Sequence, residues 1–308
     1  MDPIESITPY KDTTLAMMLA AQARGWTLWY LQQSDLYMRD GKACATRTRV
    51  TVADDNNNWF EKFETVDAPL AELDIVLMRK DPPFNMDYIY STYLLERAEA
   101  DGVLVSNKPS SLRDVNEKLY TAWFSEHCPP TLVTMREQQV REFLDEHGDI
   151  VVKPLDGMGG ESIFRLQAGN PNTSVVLELM TRRGTRQIMA QRYLPEIVDG
   201  DKRVLVVNGK PVDYALARVP SQGETRGNLA AGGRGVPEPL SDADRRTIEA
   251  LSPALLAKDL LFVGVDIIGT RITEINVTSP TCVRELEAHA DLTIADDYMS
   301  ALSSRLQR

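Results

Sequence analysis

The stretch VVKPLDGMGGESIF, residues 151–164, sets Lys153 at the end of an apolar run and follows it with Gly157, Gly159 and Gly160. A P-loop carries its lysine after the glycines, and a dinucleotide fingerprint opens a helix. This segment does neither, because the following ESIFRL reads as a strand. A glycine turn between two strands can lie flat over a polyphosphate, its backbone N–H groups reaching the oxygens while Lys153 supplies a point charge from the strand. An ordinary hairpin whose glycines only satisfy positive φ accounts for the motif equally well on its own.

A second group of oxygen donors lies in FVGVDIIGTRITEINVTSP, residues 262–280. Side chains alternate along a strand, so Glu274 and Asn276 share a face with Ile272, while Thr273 and Ile275 point the other way. Asp266 joins that face if 266 pairs with 274. This register requires an odd-length turn or a bulge and excludes a two-residue turn at Gly269 and Thr270. Two carboxylates and an amide oxygen on a half-buried face repel unless a proton or a cation intervenes. Magnesium suits them, since it takes oxygen ligands and is commonly held by one or two carboxylates together with substrate phosphates. A solvent-facing polar strand edge is the plainer alternative.

A third group is RVPSQGETRGNLAAGGRG, residues 218–235, which holds Arg218, Arg226 and Arg234 among five glycines. A loop of this length in a compact domain is either a lid or a linker. A lid bearing arginines can close over an anionic intermediate, neutralise it with forked donors and exclude water.

The elements that must position these groups alternate. A helix from about Thr13 to Arg24, a strand near Trp26–Leu31, a buried strand at 74–79, a helix ending at Gly102 and a strand at VLVSN read as α/β. Asp114 and Glu117 stand at capping-box spacing and predict a helix start. Strands at 131–134, 150–153, 162–166, 186–192, 203–207 and 211–219 follow with helices less regularly placed, which reads as α+β. The 308 residues suffice for two or three packed units.

Composition narrows the class. The net charge of −11 argues against broad contact with nucleic acid or an anionic membrane, so any anion must be caught locally. Cys44, Cys128 and Cys282 are far apart without metal or redox spacing, which predicts a reducing compartment. LAMMLAAQA, residues 15–23, is too short to span a bilayer and lacks a basic flank. The cytoplasm is therefore the expected location. His127, His147 and His289 form no metal pair and are assigned no chemistry.

Taken together, the three groups fit an enzyme that spends ATP to activate a carboxylate. The segments RKDPPF at 79–84, NKPSSLRD at 107–114, NEKL at 116–119, KPLDGMGG at 153–160, DGDKRVLVV at 199–207, GETRGNLAAGGRG at 223–235 and DIIG with TEINVTSPT at 273–281 resemble bacterial glutathione synthetases, a family of ATP-grasp ligases, along almost the whole chain.

The resemblance implies an N-terminal doubly wound α/β domain over 1–116 and an ATP-grasp domain over 117–308. The latter would divide into a small ATP-covering subdomain, 117–190, and a C-terminal subdomain, 191–308, with its lid at 218–235. It implies ligation of γ-glutamylcysteine to glycine through an acyl phosphate, with ATP and magnesium, or manganese in its place, in a homotetramer. Another ATP-grasp carboxylate–amine ligase or a non-catalytic ATP-binding module would show the same three groups. RKDPPF and NVTSPT favour the glutathione reaction.

By the same resemblance Lys118 and Lys153 contact ATP, Gly159 and Gly160 lie in the phosphate-covering loop, Gln191, Tyr193 and Leu194 form the adenine hinge, and Asp201 lies near the ribose. Asp266, Glu274 and Asn276 hold the metal. Arg203 and Arg218 face the transferring phosphoryl group and the dipeptide, Arg226 and Asn228 act from the lid, and Arg79 and Ser279 face the substrate. Without the family, Lys118 is equally a solvated lysine, Tyr193 and Leu194 core, Asp201 a turn cap and Arg203 the partner of a nearby carboxylate. The family usually opens with a short apolar strand before MDPI, so either the start codon was assigned too late or the first domain lacks its innermost strand and exposes an edge.

Overall fold

The computed structural model describes residues 1–160, 162–221, 227 and 232–307. The expected lid residues Arg226 and Asn228 lie outside this set. Helix α1 (Thr13–Ala23) begins where Asp12 accepts a hydrogen bond from the Leu15 N–H at 2.6 Å. Strands β1 (Leu28–Tyr30), β2 (Leu36–Arg39), β3 (Lys42–Val52) and β4 (Phe60–Pro69) form an antiparallel sheet. The long β3 takes β2 and β1 in succession along one edge and β4 along the other.

Strand β5 (Ile75–Leu77) pairs in parallel with β6 (Leu104–Ser106), and helices α2 (Met86–Ala100) and α3 (Pro109–Asp114) complete this half. The class is mixed α/β, as expected. The doubly wound sheet expected over 1–116 is, among the described residues, reduced to this two-stranded parallel pair beside a larger antiparallel sheet. Strand β5 also borders a cavity of about 840 Å³ lined by Met17, Ile75, Leu77 and Leu302.

A second four-stranded sheet runs in the order β7 (Thr131–Thr134), β10 (Ile188–Arg192), β8 (Asp149–Pro154), β9 (Phe164–Gln167), all antiparallel. Helices α4 (Glu137–His147) and α5 (Thr173–Met180) cover it. Val140 and Leu144 from α4 and Leu177 and Met180 from α5 meet Ile150, Val152, Leu166, Ile188 and Ala190 in one cluster.

The third sheet carries most of the candidate chemistry. Its order is β13 (Arg234–Pro239), β12 (Lys210–Val219), β11 (Asp201–Val207), β14 (Phe262–Ile268), β15 (Arg271–Asn276). Alternation decides which residues go where. Val204 and Val206 pack on one face with Ile248, Leu251 and Leu255 of α6 (Asp242–Ala257). Leu205 and Val207 pack on the other with Val283 and Leu286 of α7 (Val283–Glu287) and with Tyr298 and Leu302 of α8 (Ile294–Leu306). Both faces are apolar through the middle of the sheet, so its polar residues gather at one end.

The fold departs from the sequence expectation at two places. Asp266 does pair with Glu274, and the register shifts between Asp266 and Ile267, but Ile268 still pairs Arg271. The two-residue turn at Gly269 and Thr270 is therefore present, and Thr273 is the extra residue of a bulge that restores the 266–274 pairing. The capping box is absent. Asp114 ends α3, and the residues after Lys118 form a 3₁₀ segment, Leu119–His127, whose entry is held by Asn116 Oδ1 accepting from the Lys118 and Leu119 amides. Glu117 is used elsewhere.

Candidate active site

The glycine segment joins β8 to β9, as a loop and not a tight hairpin. Lys153 stands at the end of β8, and Gly159 and Gly160 both take positive φ, 61° and 81°. Lys153 Nζ is buried and donates to the Thr273 carbonyl at 3.0 Å. The bulge that sets the carboxylate register thus also turns a backbone oxygen toward the lysine. Burial lowers the Lys153 pKa to about 8, with Glu274 opposing the shift and Lys118 adding to it.

Lys118 joins the loop to the carboxylate face. Its Nζ donates to the Gly157 carbonyl at 2.5 Å and pairs with Glu274 Oε1 at 2.8 Å, with the lysine side chain only 6% exposed. A single ammonium therefore spans the glycine loop and a candidate metal ligand.

Behind Glu274 lies a buried ion-pair lattice. Arg203 binds Asp266 in a fork, Nε to Oδ1 and Nη2 to Oδ2, the latter at 3.0 Å. Arg218 Nη2 reaches Asp266 Oδ2 at 2.8 Å and Asp201 Oδ2 at 2.6 Å, and its Nε donates to the Asp201 carbonyl at 3.2 Å. The Asn276 amide donates to Asp266 Oδ2 at 3.2 Å and to the Gly264 carbonyl at 3.1 Å. Burial alone would raise Asp266, but Arg203 and Arg218 outweigh it and hold the carboxyl far below its ordinary range. Burial pushes Asp201 up to about 6 against the pull of Arg218, with Asp266 adding to the rise. Its Oδ1 is buried and has no partner among the described residues.

One cleft brings together the residues expected at the nucleotide. Lys118, Lys153, Gly159, Gly160, Gln191, Tyr193, Leu194, Asp201 and Glu274 all line it, as does Gly227. Gln191 turns its side-chain amide to Thr131 Oγ1 at 3.0 Å, and Tyr193 donates its N–H to the Asp149 carbonyl at 3.0 Å, so both residues are held in place. Arg203, Arg218, Asp266 and Asn276 stand one layer deeper. They reach the cleft through Asp201 and Glu274.

Arg79 lies away from this cleft. It is buried, donates to the Pro280 carbonyl at 2.8 Å and to Thr14 Oγ1 at 3.2 Å, and its guanidinium lies 5.7 Å from the Phe262 ring centroid. It thus braces the segment that carries the half-buried Ser279. Three contributors escape the sequence reading. Arg165 on β9 lines the cleft and stacks 3.6 Å from the Tyr193 ring centroid, steered there by Asp149. Gly264 leaves room for Arg203, since a Cβ there would stand 2.9 Å from Arg203 Cδ. Glu117 anchors the end of β15. Only Gly264 carried a signal, as a glycine amid an apolar strand.

Asp266, Glu274 and Asn276 fit a divalent cation by donor chemistry. They offer only hard oxygens, converge from paired strands, and already attract the cationic groups of three side chains. Among the described residues no three His, Cys, Asp or Glu side chains cluster as a metal site, so a shell of two carboxylates and an amide needs further oxygens from a ligand.

Comparison with known proteins decides the family. The model of the prokaryotic glutathione synthetase ATP-grasp domain matches residues 117–291, and that of the N-terminal domain of the same family matches residues 1–113. The chain belongs to the prokaryotic glutathione synthetase family. Glutathione synthetase of Pseudomonas putida is 58% identical over 307 residues, covering 100% of this chain and 97% of that one. Glutathione synthetase of Escherichia coli is 56% identical over 308 residues, covering 100% and 98%. Among solved structures, the ATP-grasp ligase PsnB with a precursor peptide and AMPPNP superposes with a TM-score of 0.62 at 18% identity, covering 100% of this chain and 96% of that one. The D-cycloserine synthetase DcsG gives 0.61 at 18% identity, over 77% and 85%. These two likenesses speak for the ATP-grasp fold alone. As a prokaryotic glutathione synthetase the chain is an ATP-dependent ligase that uses a divalent metal and acts on small molecules. Among the described residues no helix is long and apolar enough to cross a membrane.

Proposed function

We propose that the chain joins the cysteinyl carboxylate of γ-glutamylcysteine to the amine of glycine, consuming ATP and releasing ADP and phosphate. The observation that carries this reading is the position of Glu274. It links Lys118 and the glycine loop on one side to Asp266, Asn276 and the two arginines on the other. A nucleotide cleft therefore opens directly onto a site built to gather negative charge.

The roles of the individual residues are those the family resemblance implies, and the geometry above supports them for the described residues. Lys118 and Lys153 draw the phosphates to the β8–β9 loop, while Gln191, Tyr193 and Leu194 edge the base and Asp201 faces the ribose. Asp266, Glu274 and Asn276 would hold magnesium, or manganese in its place, and such a cation would supply charge to offset that of the phosphates. Arg203 and Arg218 stabilise the phosphoryl group and the dipeptide carboxylate as charge spreads between them. Arg226 and Asn228 act from the 218–235 segment to keep water from the acyl phosphate, and Arg79 and Ser279 shape the dipeptide side. Positioning and charge neutralisation suffice, so no protein nucleophile is required.

On this reading residues 1–116 form the N-terminal domain and 117–308 the ATP-grasp domain. The enzyme works in the cytoplasm as a homotetramer. Trapping tests the acyl phosphate. With ATP, magnesium and γ-glutamylcysteine, hydroxylamine in place of glycine yields the dipeptide hydroxamate. ATP consumption with no hydroxamate and no amide product would exclude the proposed intermediate.

A further inference from the structure

Glu117 is the residue whose placement the sequence misjudged, and its contacts are unusually concentrated. A single oxygen, Oε1, accepts three hydrogen bonds: from the Val277 N–H at 2.8 Å, the Thr278 N–H at 2.9 Å and Thr278 Oγ1 at 2.9 Å. The Glu117 carbonyl accepts a fourth, from the Ile275 N–H at 2.8 Å. Strand β15 lies at the edge of its sheet, with β14 on its inner side. Its outer edge and its exit are therefore fastened by one residue that lies about 160 positions away in the chain.

The fastening reaches both halves of the proposed reaction. Upstream of Val277 stand Glu274 and Asn276, and downstream stand Ser279 and Pro280, whose carbonyl receives Arg79. The next residue after Glu117 is Lys118, which spans Gly157 and Glu274. Burial raises the Glu117 pKa, nearby Glu274 adds to the rise, and the Thr278 and Val277 amides oppose it. A buried carboxyl whose single oxygen accepts three donors from one segment is poorly explained by packing alone.

We infer that Glu117 is a positioning residue for the ligation: its side chain clamps Val277 and Thr278 so that Glu274 and Asn276 stay opposite Asp266, and its backbone places Lys118 against them. The inference rests on the proposed function for its consequence in turnover and on the hydrogen bonds alone for its structural part. The two parts are tested separately.

The experiment compares wild type, Glu117→Ala and Glu117→Gln by amide hydrogen exchange in the ligand-free protein and by turnover. In Glu117→Ala the Val277 and Thr278 amides exchange about tenfold faster or more, as expected for losing their buried acceptor. Its kcat falls by about 100-fold, the scale of a displaced catalytic geometry, while ATP affinity is kept. Glu117→Gln, whose amide oxygen can accept the same bonds, restores slow exchange and most of the turnover. A folded Ala variant with wild-type exchange and kcat would overturn the inference. So would a Gln variant that protects the amides yet turns over as poorly as Ala, since charge and not clamping would then matter. Should Glu117→Ala fail to fold, Thr278→Val removes only the hydroxyl bond. It should lower kcat with the Val277 amide still protected, and unchanged turnover would overturn the inference. Exchange needs no substrate, so the clamp stands or falls on it even if the ligation reading fails.

Discussion

Asp266 on β14 stands directly across from Glu274 on β15, and the two carboxylates are neutralised from opposite sides: Asp266 by Arg203 and Arg218, Glu274 by Lys118. Facing carboxylates at this depth would otherwise push one another toward protonation. The division gives the pair two distinct neighbours. Glu274 belongs to the nucleotide cleft and Asp266 to the arginine lattice.

Asp266→Asn should therefore be costly even without substrate. It leaves Arg203 and Arg218 as buried cations with one carboxylate, Asp201, between them. Breaking such a lattice from one side costs about 3–5 kcal/mol. Denaturant unfolding should show a loss of that order together with loss of ligation. A stable variant would mean that water replaces the missing charge.

Lys153→Met should trade activity for stability. Because burial lowers Lys153 from 10.5 to about 8, its charge costs about 3 kcal/mol at neutral pH. For a base with a depressed pKa, that cost is full below the folded value and gone above the unfolded one. The wild type should thus gain relative to Lys153→Met as pH rises from about 8 toward 10.5. Paired unfolding curves at pH 7 and 10 measure the gap. A gap that does not narrow would contradict the assignment, as would a Met variant that still turns over.

Gly264→Ala places a methyl 2.9 Å from Arg203 Cδ, and the fork onto Asp266 leaves the arginine little freedom to yield. Turnover should fall by about 100-fold for a shift near 1 Å, with the KM for ATP little changed because Arg203 does not line the cleft. Steady-state kinetics decide it. A rise in KM alone would place Arg203 on the nucleotide instead.

Arg165→Ala removes the guanidinium stacked on Tyr193. Such a partly exposed contact is worth about 1 kcal/mol, so the KM for ATP should rise roughly fivefold at nearly constant kcat. An unchanged KM would show that the hinge does not need the stack.

Much of this arrangement was legible in the sequence for identifiable reasons. Most strands of the two sheets that line the cleft are apolar runs bounded by turn residues, and the 266–274 register followed from side-chain alternation once a bulge was admitted; β13, RGVPEP, has no such run, and its first residues, Arg234 and Gly235, were read as part of the lid. The β3–β4 hairpin was not legible. Strand β4 reads FEKFETVDAP and is largely exposed, so it carries charge where a hydrophobic alternation would signal a strand. Glu117 was misread because a carboxylate three residues after an aspartate looks like a cap, and only the folded chain shows the β15 amides it serves instead. Arg165 and Gly264 act through cross-strand neighbours, which a linear pattern does not display.

The most direct test is phosphate release from magnesium ATP with γ-glutamylcysteine, with and without glycine, with the product followed by mass. The account predicts glycine-dependent phosphate matched one for one by glutathione. Phosphate release without glycine dependence, or glycine-dependent turnover giving a product of another mass, would contradict it.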